Sequence, residues 1–208
     1  MKKIVYIIPV FAFAVASCGG GESETTTTQD TVEVCTYSYD SSKTELTWTA
    51  FKLTEKIGVN GTFNEINVVA KDSAADMFAV LTGATFEIPV ATLNSQDPIR
   101  DGKVKNSFFG NMDSTAFITG VVNSISAEGA SVSVTMNNAT KEYSGVVTVE
   151  GETITMTTTV DIVDFNAQES LDSLSVVCAE KHTGPDGVNK FWSTVDVAVK
   201  TTLIKNCK

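Results

Sequence analysis

The second half of this chain is a series of short segments in which apolar and polar residues alternate. Val132, Val134 and Met136 are separated by single Ser or Thr residues, and the alternation continues through residues 154–162. A period of two places one set of side chains on one face, so each segment predicts a half-buried β-strand. A tight turn at Glu150-Gly151 separates two of these segments and predicts a hairpin.

The alternation extends to the rest of the folded part of the chain. The segment around Trp48, residues 62–69 with Phe63 facing inward, and residues 195–203 add further strands, for a total of roughly eight. Eight strands close a barrel whose interior is filled by side chains or holds one ligand. We therefore predict an all-β fold, an eight-stranded antiparallel barrel within residues 34–208. Residues 56–61 are expected to form a turn-rich link.

One stretch departs from the simple alternation. Residues 88–109 begin as a strand, enter a polar turn at residues 94–98, and continue through a charged segment to the adjacent Phe108 and Phe109. Asx and Pro chemistry in such a turn ends regular strand pairing. A strand that leads into a charged helical turn and a Phe pair is expected to cap the barrel.

Two other segments fit a helical period better than a strand period. Residues 74–82 show a loose apolar stripe, and residues 167–180 show a clearer one inside an insert at 164–191. We expect both to be short helices.

The first 18 residues carry the pattern of an export leader. Lys2 and Lys3 precede an apolar run that is too short to span a bilayer. The tetrapeptide VASC, which ends at Cys18, resembles a bacterial lipobox. That resemblance implies that Cys18 is lipidated and becomes the new N-terminus, with a plain secretory leader as the alternative.

Residues 19–33 are rich in Gly, Glu and Thr and cannot bury apolar surface, so we expect a disordered tether. Its acidic start resembles the surface-export signals of Bacteroidetes lipoproteins, and a solvated linker is the alternative. Lipidated Cys18 would anchor the chain to a membrane. We expect a cell-envelope protein, an outer-membrane lipoprotein that faces the periplasm or the cell surface.

The acidic balance of the chain bears on its partners. The formal net charge is −10. Nucleic acid is a poor partner for such a chain, because binding to phosphates needs a basic face. We expect a monomer or a homodimer.

The order of several motifs resembles that of the YceI-like family. The motif TWTAFK at 47–52 precedes VNGTF at 59–63, and the cap segment from residue 93 to Phe109 precedes AFITG at 116–120. The resemblance implies an eight-stranded, antiparallel, lipocalin-like barrel with a helical cap and an apolar tunnel for a polyisoprenoid or another long-chain lipid. The motif SFFG at 107–110 lacks the acids that usually flank the Phe pair in this family.

The inward-facing side chains are the candidate contacts for such a lipid. From the strands they are Trp48, Phe63, Phe86, Ile88, Phe117, Met136 and Met156. Phe108 and Phe109 would contact the lipid or anchor the cap in the core. Arg100 would bind a lipid phosphate or form a local pair with Asp97 or Asp101. Because periodicity does not distinguish a hollow lumen from a filled one, a structural or interaction module with a filled core is the alternative.

Signals for catalysis are weak in this sequence. His182 is the single histidine, and Cys178 lies one helical turn away. A catalytic or metal site needs more companions than that. We expect a binding protein and not an enzyme, with no catalytic residue, metal or cofactor.

Three cysteines remain if Cys18 is lipidated: Cys35, Cys178 and Cys207. An envelope compartment is oxidising, so one disulfide is expected. In a closed antiparallel barrel the start of the first strand lies beside the end of the last strand, which favours Cys35 with Cys207. Cys178 with Cys207 is the alternative.

Overall fold

The structure is a computed structural model that describes residues 33–208. The predicted leader, Cys18 and residues 19–32 lie outside the described residues. The strands are β1 (Cys35–Ser38), β2 (Thr44–Lys52), β3 (Ile57–Phe63), β4 (Asn67–Val69), β5 (Thr85–Pro89), β6 (Leu93–Asn94), β7 (Phe117–Ser126), β8 (Gly129–Met136), β9 (Ala139–Glu150), β10 (Thr153–Asp161), β11 (Phe191–Thr202) and β12 (Ile204–Cys207). The α-helices are α1 (Met77–Leu81), α2 (Pro98–Lys103) and α3 (Gln168–His182).

Ten of these strands form one sheet, in the order β4-β5-β7-β8-β9-β10-β11-β2-β3-β6. Every neighbouring pair is antiparallel, and the two short strands β4 and β6 lie at the ends of the order. β6 follows β5 after one 3-10 turn, Val90–Thr92, and pairs with β3 through Leu93 and Phe63. The sheet therefore curls into a half-barrel. The predicted all-β, antiparallel, lipocalin-like fold with short helices is confirmed. Apart from β4 and β6, the sheet consists of eight strands, which we call the eight long strands.

A separate two-stranded ribbon joins the two ends of the described chain. β1 pairs with β12, with Cys35 opposite Cys207, and a disulfide of 2.03 Å joins the two residues. This is the pair that the sequence favoured over Cys178 with Cys207. Cys178 is a free cysteine.

The turn between β2 and β3 lies earlier than expected. Leu53 and Lys56 adopt positive φ angles of 62° and 56° at this turn, and β3 then runs through the segment that we predicted as a link. A strand over residues 62–69 is also wrong, because β3 ends at Phe63 and β4 is separate. We had interpreted Gly61 as part of a turn. It lies instead within β3, opposite Trp48, where it leaves room for the indole.

Both predicted helices form, with shifted bounds. α1 is shorter than residues 74–82, and Asp76 caps it by accepting a hydrogen bond of 2.9 Å from the amide of Ala79. α3 extends two residues beyond the predicted end at residue 180. After α2 the cap continues as a π-helical turn, Val104–Phe108, and a 3-10 turn, Phe109–Asn111.

The apolar core has two parts. One cluster lies under the cap and includes Phe63, Phe108 and Phe165, and the other packs α1 and the ribbon against the sheet around Ile154 and Leu203. Glu33–Lys208 is thus a compact unit with its own core, the property that allows a domain to fold alone. Each helix in this unit is too short or too polar to span a lipid bilayer.

Candidate functional site

The curled sheet encloses an apolar cavity of about 590 Å³. All eight long strands contribute inward-facing side chains to its wall, and the cap segment and α3 contribute the rest. The volume lies in the range of pockets that hold small organic ligands, and such pockets are mostly apolar with a few polar groups. The lumen of this protein is therefore hollow.

Nine of the ten side chains predicted to contact a ligand line this cavity. They are Trp48, Phe63, Phe86, Ile88, Arg100, Phe108, Phe109, Met136 and Met156.

Phe117 is the exception and corrects the prediction. Its side chain is 43% exposed and does not line the cavity, whereas the next residue, Ile118, does. Side chains alternate along a strand, so an error of one residue in phase exchanges the inner and outer faces. The phase of β7 is set by its pairing with β5, in which Ile118 lies opposite the inward-facing Ile88.

Glycines on neighbouring strands keep large lining side chains against the wall. A Cβ at Gly61 would overlap the indole of Trp48, and a Cβ at Gly120 would overlap the ring of Phe86, its direct cross-strand partner. Each ring thus covers a strand position that has no side chain of its own. This arrangement leaves space along the axis of the barrel.

The cap closes over the apolar lumen with the Phe pair. Phe108 and Phe109 are both buried, and their rings meet edge to face with centroids 4.9 Å apart. Both rings belong to the core cluster and both line the cavity, so the cap is anchored and also in contact with the lumen. Anchoring of the cap in the core is therefore observed, and contact of this pair with a lipid stays a prediction.

Arg100 lies at the start of the cap in a local polar network. Its Nε donates to Ser95 Oγ at 2.7 Å and its Nη2 donates to the Ser95 carbonyl at 2.6 Å. The carboxylate of Asp101 accepts from the Ser95 amide at 2.8 Å, and that of Asp97 caps α2. Ser95 thus holds the guanidinium in place; a local pair of Arg100 with Asp97 or Asp101 was one of the two alternatives that we considered.

α3 contributes a side of the cavity that the sequence analysis missed. Leu171, Leu174, Cys178 and His182 all line the lumen. Their spacing of three, four and four residues follows one face of a helix, and this signal was available in the sequence. We had predicted the helix from this stripe and had not assigned its apolar face to the cavity.

His182 occupies an apolar, positively charged environment. Its ring stacks on Phe191 with centroids 4.0 Å apart, and its buried Nδ1 has no hydrogen-bond partner among the described residues. Burial lowers the pKa of His182 to about 4, and Lys52, Lys103 and Arg100 reinforce the effect. The imidazole is therefore neutral at physiological pH.

Cys178, the free thiol, also faces the lumen. Burial raises its pKa, and nearby lysines oppose this rise. Among the described residues, one group of potential metal ligands comes together, Glu33 with Cys35 and Cys207. Because the two cysteines form a disulfide, they have no thiolates to offer a metal ion.

Solved structures of two bacterial proteins share this fold. One is BcnA of Burkholderia cenocepacia, with a TM-score of 0.54 and 14% identity over 81% of this chain and 99% of that protein. The other is a polyisoprenoid-binding domain from Saccharophagus degradans that has been implicated in plant cell wall breakdown. Its TM-score is 0.56, with 12% identity over 83% of this chain and 98% of that domain.

No curated protein matches the chain in sequence. The family model described as the YceI-like domain, however, matches residues 37–203, which extend from the first strand of the ribbon to the residue before its second strand. The match includes the hollow sheet, the cap with its Phe pair, and α3. By this match over most of its length, the chain belongs to the YceI-like domain family.

Proposed function

We propose that this protein binds a long-chain apolar lipid, of polyisoprenoid type, in the lumen of the half-barrel. The observation that carries the proposal is the cavity of about 590 Å³, walled by apolar side chains from all eight long strands. A hydrocarbon chain in such a lumen leaves water, and each buried methylene contributes about 0.8 kcal/mol. The protein would act by sequestering or carrying the lipid, without catalysis.

The polyisoprenoid class is suggested by a relative. The structurally similar domain from Saccharophagus degradans is a polyisoprenoid-binding domain. At 12% identity that likeness supports the fold alone, so the ligand class remains part of our proposal.

The place of action is proposed from the N-terminal sequence. Lipidation at Cys18 and a flexible tether over residues 19–33 would hold the domain, residues 34–208, at an outer membrane, facing the periplasm or the cell surface. A membrane anchor would place the lumen close to its source of lipid. Incorporation of labelled fatty acid into the full chain, and its loss in Cys18→Ser, tests the anchor separately from the binding.

Intrinsic fluorescence offers a direct test of binding. The chain has two tryptophans, Trp48 and Trp192, and both line the cavity. Titration of the protein comprising residues 33–208 with a long-chain prenol should change their emission in a saturable way.

A matched pair of variants separates the lumen from the outer surface. Ala50 lines the cavity and Thr47, on the same strand, is exposed. Ala50→Phe should abolish or strongly weaken binding of the prenol, whereas Thr47→Phe should leave it unchanged. If the unaltered protein does not respond to the prenol at all, the proposal is wrong, and an interaction module becomes the better description.

A further inference from the structure

Two neighbouring strands of the sheet separate before they end. β10 pairs with β9 over residues 153–157, which lie opposite residues 146–150. The rest of β9, residues 139–145, pairs with β8, while residues 158–161 of β10 pair only with β11. We call the place where residues 143–145 of β9 diverge from residues 158–161 of β10 the fork. Within the described chain, the ladder between β9 and β10 does not extend across the fork.

Side chains close the wall of the lumen at the fork. Tyr143 and Thr158 line the cavity and also line a cleft on the outer face of the sheet. Gly145 has no side chain, and a Cβ at that position would overlap the side chain of Met156 on β10. Met156 thus covers the gap from the inside. Because a methionine side chain is unbranched and flexible, this part of the wall deforms easily.

Tyr143 holds the two strands of the fork together. Its hydroxyl donates to the carboxylate of Asp164 at 2.9 Å and lies 3.2 Å from the carbonyl oxygen of Asp161, the last residue of β10. Thr158 Oγ1 adds a hydrogen bond of 2.8 Å to the carbonyl of Ser144. Burial and the bond to Asp164 raise the pKa of Tyr143, so its hydroxyl stays protonated and able to donate. Opening the fork breaks these side-chain contacts and leaves the ladders of β9 with β8 and of β10 with β11 intact.

Both ends of the lumen are covered by helical elements. At the cap end, Lys103 of α2 and Lys52 of β2 donate to backbone carbonyls of α3 at 2.6 and 3.3 Å, which ties this helix to α2 and to the sheet. At the other end, α1 places the buried side chain of Leu81 in the cavity wall. A chain that enters at either end must displace one of these elements with its packed side chains.

A second corner of the sheet lacks the features of the fork. Residues 44–46 of β2 extend beyond the ladder between β2 and β3. Leu46 and Phe63 are buried in the wall at this corner, and both belong to the core cluster under the cap. Tyr143 and Met156, in contrast, are only partly buried. The fork is therefore the easier of the two corners to open.

We propose that the fork is a lateral portal, through which the hydrocarbon chain of a bound lipid enters and leaves the lumen, with Tyr143 as its latch. This inference rests on the proposed lipid-binding function and adds the route of the ligand. Local opening is least costly where few buried contacts and few backbone hydrogen bonds are broken. Movement of Tyr143 and Met156 joins the lumen to the outer cleft while the rest of the barrel stays intact. A hydrocarbon chain suits this route because it is thin and flexible and needs no hydrogen-bond partner as it passes.

The test measures rates of uptake and release with the fork free and with the fork cross-linked. Ser144 and Thr159 are exposed, and the register of the ladder, if continued, would place them opposite each other across the fork. Ser144→Cys with Thr159→Cys, in a Cys178→Ser background, is joined by a short bismaleimide that leaves the native disulfide untouched. Stopped-flow tryptophan emission then follows farnesol in the protein of residues 33–208. Cross-linking should slow uptake and release by about tenfold or more and leave the Kd unchanged, because a closed gate alters rates and not affinity.

The matched control lies one step along the same two strands. Val146 and Thr157 are exposed cross-strand partners within the intact ladder beside the fork. Val146→Cys with Thr157→Cys, joined by the same reagent in the same background, should take up and release farnesol at the rates of the protein without a cross-link. Mass spectrometry confirms each cross-link, and thermal unfolding shows that each variant is folded.

A second measurement needs no cross-link. Asp164 does not line the cavity, and Asp164→Ala removes the carboxylate partner of Tyr143. Uptake and release of farnesol should both become about three- to tenfold faster, because a hydrogen bond that holds the portal shut is lost. Glu142→Ala is the control. It removes a similar bond, from Ser131 Oγ to a carboxylate, where the ladder between β8 and β9 is intact, and it should change neither rate.

The outcomes separate this inference from the function on which it rests. If the cross-link at the fork leaves both rates unchanged, or if both cross-links slow uptake equally, the portal is wrong and lipid binding stands. If Asp164→Ala does not change the rates, Tyr143 is not the latch. Should the paired cysteines prevent folding, Asp164→Ala and Glu142→Ala decide the matter alone. If the protein without a cross-link does not respond to farnesol, the proposed function fails and the portal with it.

Discussion

The indole of Trp48 occupies the space that a side chain at Gly61, its direct partner on β3, would require. Trp48 Nε1 also donates to the carbonyl of Thr62 at 3.3 Å, which directs the ring along the neighbouring strand. A large aromatic residue thus covers the wall of the barrel and leaves the axis free. The hollow lumen depends on this pairing and on the equivalent pairing of Phe86 with Gly120.

Replacing Gly61 by Ala should therefore disturb the lumen. The added methyl group overlaps the indole, and overpacking of this kind costs about 1–3 kcal/mol in the free energy of unfolding. Urea unfolding measures this loss, and a shift in tryptophan emission should report displacement of the ring into the cavity. Gly102→Ala is the matched control, because Gly102 lies in α2 with open space around its Cβ position. It should be neutral or slightly stabilising. Equal destabilisation by both variants would contradict this account of Gly61.

Reduction of the disulfide should lower the stability of the fold. Cys35 and Cys207 are separated by 172 residues, and a loop of that length is worth at most about 5 kcal/mol in the chain-entropy model. Urea unfolding of Cys35→Ser with Cys207→Ser should show a loss of a few kcal/mol. Cys178→Ser removes a thiol that forms no disulfide and should have a much smaller effect. A double variant as stable as the unaltered protein would contradict a stabilising role for this disulfide.

Stability should fall in mild acid because of His182. Its pKa is about 4 in the folded protein, against an ordinary value of 6.5, so the unfolded chain takes up the proton first. The effect is absent above pH 6.5 and grows as the pH falls from 6.5 toward 4. Allowing for solvent screening of the half-buried ring, we expect a loss of about 1 kcal/mol between about pH 7.5 and about pH 5.

The control for this pH effect is His182→Gln. The variant should show a much flatter dependence of the unfolding free energy over the same interval, whatever its absolute stability. Asp97 and Asp186 have lowered pKa values in the folded protein, so their contributions are lost only below the ordinary carboxylate value of 3.8. An unchanged slope in His182→Gln would show that the imidazole is not the titrating group.

Lipid in the cavity should protect Cys178 from alkylation. The thiol lines the lumen, and burial raises its pKa, so it should react slowly with iodoacetamide even in the empty protein. Bound lipid should reduce the rate further, in proportion to the fraction of protein that is occupied. Mass spectrometry of the alkylated peptide measures this rate. The same lipid should have no effect on the thiol in urea, and equal rates with and without lipid in the folded protein would place the lipid elsewhere.

Much of the fold was predictable because strand alternation is a strong signal. Trp48, Phe86 and Met156 lie in segments of clear period two, and all three line the cavity. Phe117 begins its strand, where the alternation has no preceding residues to set its phase, and there the choice of face was wrong.

The cationic side chains that line the lumen, among them Lys52 and Lys103, were less accessible to sequence reasoning. Lys52 lies in phase with Trp48 and Ala50, two inward-facing residues of β2, so its direction could have been predicted. Lys52 and Lys103 both donate hydrogen bonds to carbonyls of α3, so their proximity depends on how α3 packs over the sheet. That packing is a tertiary feature, and the amino-acid pattern of one chain does not encode it locally. Whether the lumen was hollow depended likewise on cross-strand partners such as Trp48 and Gly61.

The most direct test of lipid binding is native mass spectrometry of residues 33–208 purified from the protein's own host, followed by organic extraction. We predict one long-chain lipid per protein molecule, released on extraction and identified by its mass. A protein that arrives empty and also takes up no added prenyl lipid would contradict the account.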